Sequence, residues 1–161
     1  MSKIKVDVYS IIKPEVEKLK TLGFKTASLD CRLLLSQILE KSNPVYTHEQ
    51  VNISKDEIIN FQTLVKQRQK GKPVSRILNK RNFWKREFML NGDTLDPRPD
   101  SEILIEAVLE YFPNKTQLLK ILDLGSGTGC LGLSLLEEYE DSLISFVDVS
   151  KKSLEIVKKN S

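Results

Sequence analysis

The sequence predicts an α+β protein in three parts: a small helical bundle, a β-hairpin linker and the opening of an α/β domain. Three observations carry this. Residues 1–70 place apolar side chains at helical spacing. Residues 72–95 switch to short apolar runs broken by turn residues. Residues 121–136 pass from an apolar run through a glycine-rich turn into a second apolar stretch. The expected domain limits are 1–71, 72–95 and 96–161.

At 161 residues the chain can bury one good core or two small ones. A content of 40% hydrophobic and 29% charged residues fits a soluble globular protein. No apolar run approaches a membrane span, and the polar start Met1-Ser2-Lys3-Ile4-Lys5 is no secretory signal. Cys31 and Cys130 fall in different elements, so neither a disulfide nor a metal framework is expected, and a reducing cytoplasm is the expected setting. His48 stands in a loop beside Asn43-Pro44 with no ligand-type residue at metal spacing, and reads as solvated surface. No metal site is expected.

In the first part, Val8, Ile12, Val16, Leu19 and Leu22 form a helical stripe stopped by Gly23, with Pro14 marking either a kink or the true first turn. Ala27, Cys31, Leu34, Leu35 and Ile38 form a second stripe, ended by Asn43-Pro44. Ser54-x-x-Glu57 is a capping box for a third helix through Ile58, Phe61 and Val65, closed by Gly71. Such stripes make a small bundle.

In the second part, Val74 and Ile77, then Phe83, Trp84, Phe88 and Leu90, suggest short strands joined by an Asn79-Lys80-Arg81 turn, with Asn91-Gly92 as a further turn. The net charge of +3 hides a basic stretch from Lys66 to Arg86 (Lys66, Arg68, Lys70, Lys72, Arg76, Lys80, Arg81, Lys85, Arg86) without an acid. Cations there could hold phosphates, and Phe83 and Trp84 could stack bases. A solvated helix end followed by a hairpin explains the same residues and is the favoured reading.

The third part opens with Leu95-Asp96-Pro97-Arg98-Pro99-Asp100-Ser101-Glu102. Two prolines extend the backbone, and Asp100 or Ser101 then caps a helix carrying Ile103, Leu104, Ala107, Val108 and Leu109. This rigid turn could form one wall of a site. Next come Ile121-Leu122-Asp123-Leu124 and Gly125-Ser126-Gly127-Thr128-Gly129. Glycines there permit backbone angles forbidden to other residues and let a ligand lie against the chain at a helix N-terminus. A dinucleotide fingerprint would want a third glycine where Cys130 stands. Asp148 follows about twenty residues later, the usual offset for a carboxylate that grips ribose hydroxyls, and Ser150 caps a helix through Leu154, Ile156 and Val157.

The acid-x-Gly-x-Gly-x-Gly pattern resembles motif I of the class I S-adenosylmethionine-dependent methyltransferases, whose fold is Rossmann-like. Taken with Asp30-x-x-Leu33-Leu34-Leu35, Arg68-x-x-Gly71-Lys72-Pro73-Val74, Phe83-Trp84, Pro97-Arg98-Pro99-Asp100-Ser101-Glu102 and Asp148-Val149-Ser150, it makes the chain similar to the release-factor glutamine methyltransferases, the HemK/PrmC family. Nearly the whole chain takes part in the resemblance. Ser101 stands where the family has threonine, Asn79 where it usually has glycine, and Asp96 where an apolar residue is usual.

The resemblance implies methylation of the glutamine side-chain amide in the Gly-Gly-Gln motif of peptide chain release factors, with S-adenosyl-L-methionine as cofactor. It implies that Gly125, Ser126, Gly127, Thr128 and Gly129 cradle the methionine part and that Asp148 holds the ribose. Arg98, Pro99, Asp100 and Ser101 would lie near cofactor or substrate, and the helical domain would help dock the release factor. The family's Asn-Pro-Pro-Tyr motif, which orients the substrate amide, does not occur in these 161 residues. The chain is therefore expected to be an amino-terminal portion without catalytic residues, inactive alone and prone to association through open sheet edges. Two rival readings are an RNA methyltransferase, in some relatives a fused transfer-RNA methyltransferase activity, and a non-catalytic binding module.

Overall fold

A computed structural model describes residues 3–161. They form two compact units, one ending at Leu78 and one beginning at Asn79.

The first unit has four helices and a strand pair. Helix α1 (Val8–Thr21) is capped by Asp7, whose carboxylate accepts the Tyr9 N–H at 2.8 Å. It buries Val8, Ile12, Val16 and Leu19, the stripe read from the sequence. Pro14 lies inside α1 on the exposed face and is not in its first turn, because Asp7 supplies the cap about two turns earlier. Gly23, at φ +84°, ends the helix: its N–H reaches Lys20 O and that of Phe24 reaches Leu19 O.

Helix α2 (Ala27–Ile38) turns Cys31, Leu34 and Leu35 inward. Helix α3 (Lys55–Gln69) opens on the complete Ser54/Glu57 capping box and buries Phe61 and Val65. Ser54→Ala is expected to destabilise this unit by about 1 kcal/mol, measured by urea unfolding followed by circular dichroism; an unchanged midpoint would refute the cap's role. Asp30 and Arg68, both in motifs singled out above, meet at 2.7 Å, nearly buried, with the guanidinium 4.0 Å over the Phe24 ring. The two motifs are one clasp between α2 and α3.

Two features of this unit depart from expectation. Strand β1 (Ile4–Asp7) pairs antiparallel with β2 (Gln50–Ile53), Val6 opposite Val51, where only helices were expected. Val74 and Ile77 are not strand residues: they lie in helix α4 (Val74–Leu78). Their three-residue spacing suits one helical face, and the carbonyl of Pro73 accepts both Arg76 and Ile77 N–H at 3.0 Å. Asn79 then adopts φ +54°, the left-handed backbone asparagine tolerates.

In the second unit, β3 (Lys80–Phe83) and β4 (Arg86–Met89) form an antiparallel hairpin. Its turn is Trp84-Lys85, not Asn79-Lys80-Arg81. Trp84 takes φ +55°, a strained angle for a bulky residue, and is held there by tertiary bonds. Its N–H donates to Glu102 Oε1 at 2.8 Å and its indole N–H to Glu138 Oε1 at 2.9 Å. Asn91 makes the expected turn by accepting the Asp93 and Thr94 N–H groups at 3.0 Å.

A single 3-10 turn, Pro99–Ser101, runs into helix α5 (Glu102–Tyr111). Neither Asp100 nor Ser101 caps it through a side chain, because Ser101 is already helical (φ −76°, ψ −12°) rather than extended. Strand β5 (Lys120–Leu124), helix α6 (Cys130–Glu138), strand β6 (Leu143–Val147) and helix α7 (Lys151–Asn160) complete the unit. Strands β5 and β6 are parallel, Leu124 opposite Val147, with α6 as the crossover. Phe83, Phe88, Ile105, Leu133 and Tyr139 form the core. One face of the strand pair stays bare: Leu122, Leu124, Leu143 and Val147 are exposed. Among the described residues, no helix is long and apolar enough to cross a membrane.

Candidate functional site

The turn between β5 and α6 is built by three left-handed glycines, Gly125 (φ +74°), Gly127 (φ +53°) and Gly129 (φ +76°). A side chain at any of them would be strained. Their surroundings differ. A Cβ on Gly125 or Gly127 would meet nothing within 4 Å, so both border open space, whereas one on Gly129 would press on Val157 at 3.1 Å. The alternating pattern thus leaves two glycines facing open space and packs one against α7.

The loop is anchored from strand β6. Val147 O accepts the N–H groups of Gly125 (2.7 Å) and Ser126 (3.0 Å), and the Gly129 N–H closes on Ser126 O at 2.7 Å. Asp148 accepts from Gly127 N–H through Oδ2 and from Ser150 N–H through Oδ1, both at 2.8 Å. The amides of Ser150 and Gly127 hold its carboxyl below the usual aspartate range. The Ser153 hydroxyl adds a further bond, and a carboxylate with about four acceptor positions keeps capacity for a ligand hydroxyl.

Asp123, the acid before the loop, behaves differently. Its Oδ2 accepts the Gly132 N–H at 3.1 Å in the first turn of α6. Burial pushes its pKa up against that bond, and the charge of Asp148 adds to the rise. The two acids flank one loop with opposite shifts, Asp148 downward and Asp123 upward. Asp123 also provides the charged group in an otherwise apolar recess lined by Leu104, Val108, Leu122 and Leu135.

The hydroxyl of Ser126 is buried and has no hydrogen-bond partner. It is a polar group that the fold itself leaves unsatisfied. The open backbone at Gly125 and Gly127, with the Asp148 carboxylate bound to the Gly127 N–H, suits a ligand with polar groups.

Arg98, Pro99 and Asp100 are exposed and Ser101 is half-buried. Their turn closes on itself, Ser101 N–H to Arg98 O at 2.9 Å. The structure shows no bond between this turn and the glycine loop. Part of the basic stretch pairs with this chain's own acids: Arg68 with Asp30, Lys80 with Glu87, Lys85 with Glu138 and Arg86 with Glu137. Cys31 and Cys130 are free thiols, and burial, then the charges of Glu15 and Asp30, push Cys31 to about 12. Among the described residues, no group of His, Cys, Asp or Glu could hold a metal ion.

Two residues that sequence reasoning passed over belong to this site's frame. Glu138 is the buried acceptor for Trp84, Lys85 and Lys115. Asn160 binds both the hairpin and the loop carbonyl of Thr128. Nothing local in the sequence marks either.

Residues 16–78 match the PrmC N-terminal domain, and residues 89–161 match the methyltransferase small domain. The chain is 36% identical over 141 residues to a release factor glutamine methyltransferase of Buchnera aphidicola, covering 85% of this chain and 50% of the relative. It is 38% identical over 137 residues to the release factor glutamine methyltransferase of Shewanella oneidensis (84% and 47%). A protein of Rickettsia bellii named bifunctional methyltransferase is 31% identical over 170 residues (89% and 31%). The chain spans about half the length of the release factor methyltransferases it matches.

Proposed function

Because this chain belongs to the release factor glutamine methyltransferase family, we propose that it is the cofactor-cradling and substrate-docking part of an enzyme that methylates a release factor. The proposed acceptor is the side-chain amide of the glutamine in the Gly-Gly-Gln motif, in the cytoplasm, where translation ends. The observation that carries this reading is the glycine loop, open over Gly125 and Gly127 and pinned by Asp148.

In this reading Gly125 to Gly129 lie against the methionine end of S-adenosyl-L-methionine, with Ser126 Oγ donating to its carboxylate. Asp148 accepts the ribose hydroxyls. The cofactor, when bound, supplies an electrophilic methyl on sulfur. Arg98 to Ser101 lie near cofactor or substrate, and the helical domain, residues 1–71 as read from the sequence, helps dock the release factor. The parallel strand pair, bare on one face at Leu122, Leu124, Leu143 and Val147, begins a Rossmann-like sheet whose further elements cover that face.

An amide nitrogen is a poor nucleophile and needs acceptors that orient its lone pair behind the methyl group. The Asn-Pro-Pro-Tyr motif that would supply them does not occur here. The 161-residue chain is therefore expected to transfer no radiolabelled methyl to a purified release factor. A chimera continued by the remaining half of the Shewanella relative is expected to do so. Turnover by the 161 residues alone, or none by a folded chimera, overturns the reading. Asp148→Ala in the chimera is expected to weaken S-adenosylhomocysteine binding by about tenfold to a hundredfold, the range for losing charge-assisted hydrogen bonds, as measured by calorimetric titration.

The Rickettsia relative's name favours a second reading, a parent protein with a further methyltransferase activity. Methyl transfer to RNA by a chimera continued with the remainder of the Rickettsia relative would support it. The ion pairs of Lys80, Lys85 and Arg86 argue against the hairpin as an RNA contact.

A further inference from the structure

Asn160 is the last residue of α7 and is 3% exposed. Its side-chain amide makes three bonds within the second unit. Oδ1 accepts the Met89 N–H at 2.8 Å, while Nδ2 donates to Met89 O at 3.2 Å and to Thr128 O at 3.0 Å. Toward β4 the amide thus acts like a neighbouring strand residue, with one donor and one acceptor on the same peptide edge. Its second donor goes to the glycine loop. The carbonyl of Asn160 accepts from Arg86, a further tie to the hairpin.

Among side chains, only an amide offers an acceptor and two donors in this fork. Aspartate lacks the donors, leucine lacks every polar atom, and glutamine sets the fork one methylene further out. The fit is therefore specific to asparagine.

The bond to Thr128 acts where the loop is weakest. The peptide joining Thr128 to Gly129 precedes a glycine, which accepts either sign of φ and so permits the peptide plane to flip. Two bonds hold that plane from opposite sides: Asn160 takes the Thr128 carbonyl, and Ser126 O takes the Gly129 N–H at 2.7 Å. Losing the first leaves the plane held from one side, next to Gly127, which faces open space.

We propose that Asn160 is a positioning residue for the glycine loop, which it ties to the β3–β4 hairpin so that the cradle is formed before a ligand arrives. The functional sense of this rests on reading the loop as a cofactor cradle. The tie itself is a property of the chain alone.

Amide hydrogen exchange of the 161-residue chain, without cofactor, tests it. Asn160→Ala is compared with the unaltered chain in enough urea to match global stability, which removes any general destabilisation. Exchange at Met89, Gly127 and Gly129 is expected to be at least tenfold faster in the variant, with Ile105 and Val108 in α5 unchanged between the two. Equal rates at the loop, or equal acceleration in α5, overturn the proposal. If Asn160→Ala does not fold, the unaltered chain decides: slow exchange of the Asn160 side-chain amide supports the tie, and solvent-like exchange overturns it. S-adenosylhomocysteine titration of the chimera described above tests the cofactor reading separately, so the two can fail independently.

Discussion

Glu138→Ala is expected to destabilise the second unit by about 2–4 kcal/mol, between the loss of charge-assisted bonds and the breaking of a buried ion pair. The Glu138 side chain is 2% exposed and accepts from the indole N–H of Trp84 and from the ammonium groups of Lys85 and Lys115. The lysines are more than half exposed and rehydrate when the carboxylate is gone. The half-buried indole N–H loses its acceptor, and the hairpin turn loses one of the two bonds that keep Trp84 at φ +55°. Glu138→Gln keeps an acceptor for the indole and is expected to lose about 1 kcal/mol, the net worth of a hydrogen bond.

Trp84 is the sole tryptophan, so its fluorescence in urea reports this unit directly. The pH dependence has a definite sign. Lys115, Lys85 and Trp84 lower the carboxyl of Glu138 from 4.5 to about 2. A lowered acid stabilises the fold above its unfolded value and loses that contribution as protons return. The gap between the unaltered protein and Glu138→Gln is therefore expected to be full above pH 4.5 and to shrink as pH falls toward 2. A gap that widens on acidification, or no gap at pH 7, would refute the ion-pair account.

Gly132→Ala is the second large effect, expected to destabilise the same unit by about 2 kcal/mol despite alanine's better helix propensity of about 1 kcal/mol. Helix α6 approaches the strand pair most closely there. A Cβ would stand 2.4 Å from Ile144 Cδ1, 2.5 Å from Phe146 Cε1 and 3.0 Å from Asp123 Oδ2. The isoleucine tip can swing aside, but the aromatic edge and the carboxylate have less room. Relief should be partial in Gly132→Ala combined with Ile144→Val, read from the same fluorescence midpoint. A single variant as stable as the unaltered protein would mean that α6 lifts from the sheet at little cost. The displaced Asp123 would then lose its Gly132 N–H, and the loop before it would loosen.

Much of the architecture was legible because its signals are local. The stripes Val8–Leu19 and Ala27–Leu35, the Ser54/Glu57 capping box and the stops at Gly23 and Gly71 lie within a few residues of what they control. Helix α4 was misread because five residues with two inward apolar positions fit either period. The β1–β2 pair escaped because four-residue strands separated by a helical hairpin leave no joint pattern. The hairpin turn was misplaced because local chemistry favours asparagine there, while Trp84 is held by Glu102 and Glu138, 18 and 54 residues away.

The candidate site divides along the same line. By itself the sequence determined the glycine spacing, the acid before the loop and Asp148 after it, since a turn that must adopt left-handed angles restricts its own residues. Only the tertiary structure decided what those residues do. It left two glycines facing open space and packed the third against Val157, bound Asp148 to Gly127 and Ser150, and left the Ser126 hydroxyl without a partner. It also recruited Asn160, 71 residues from Met89 in the chain. Backbone angles are set by the residue that adopts them, whereas a hydrogen-bond partner is set by whatever the fold brings alongside.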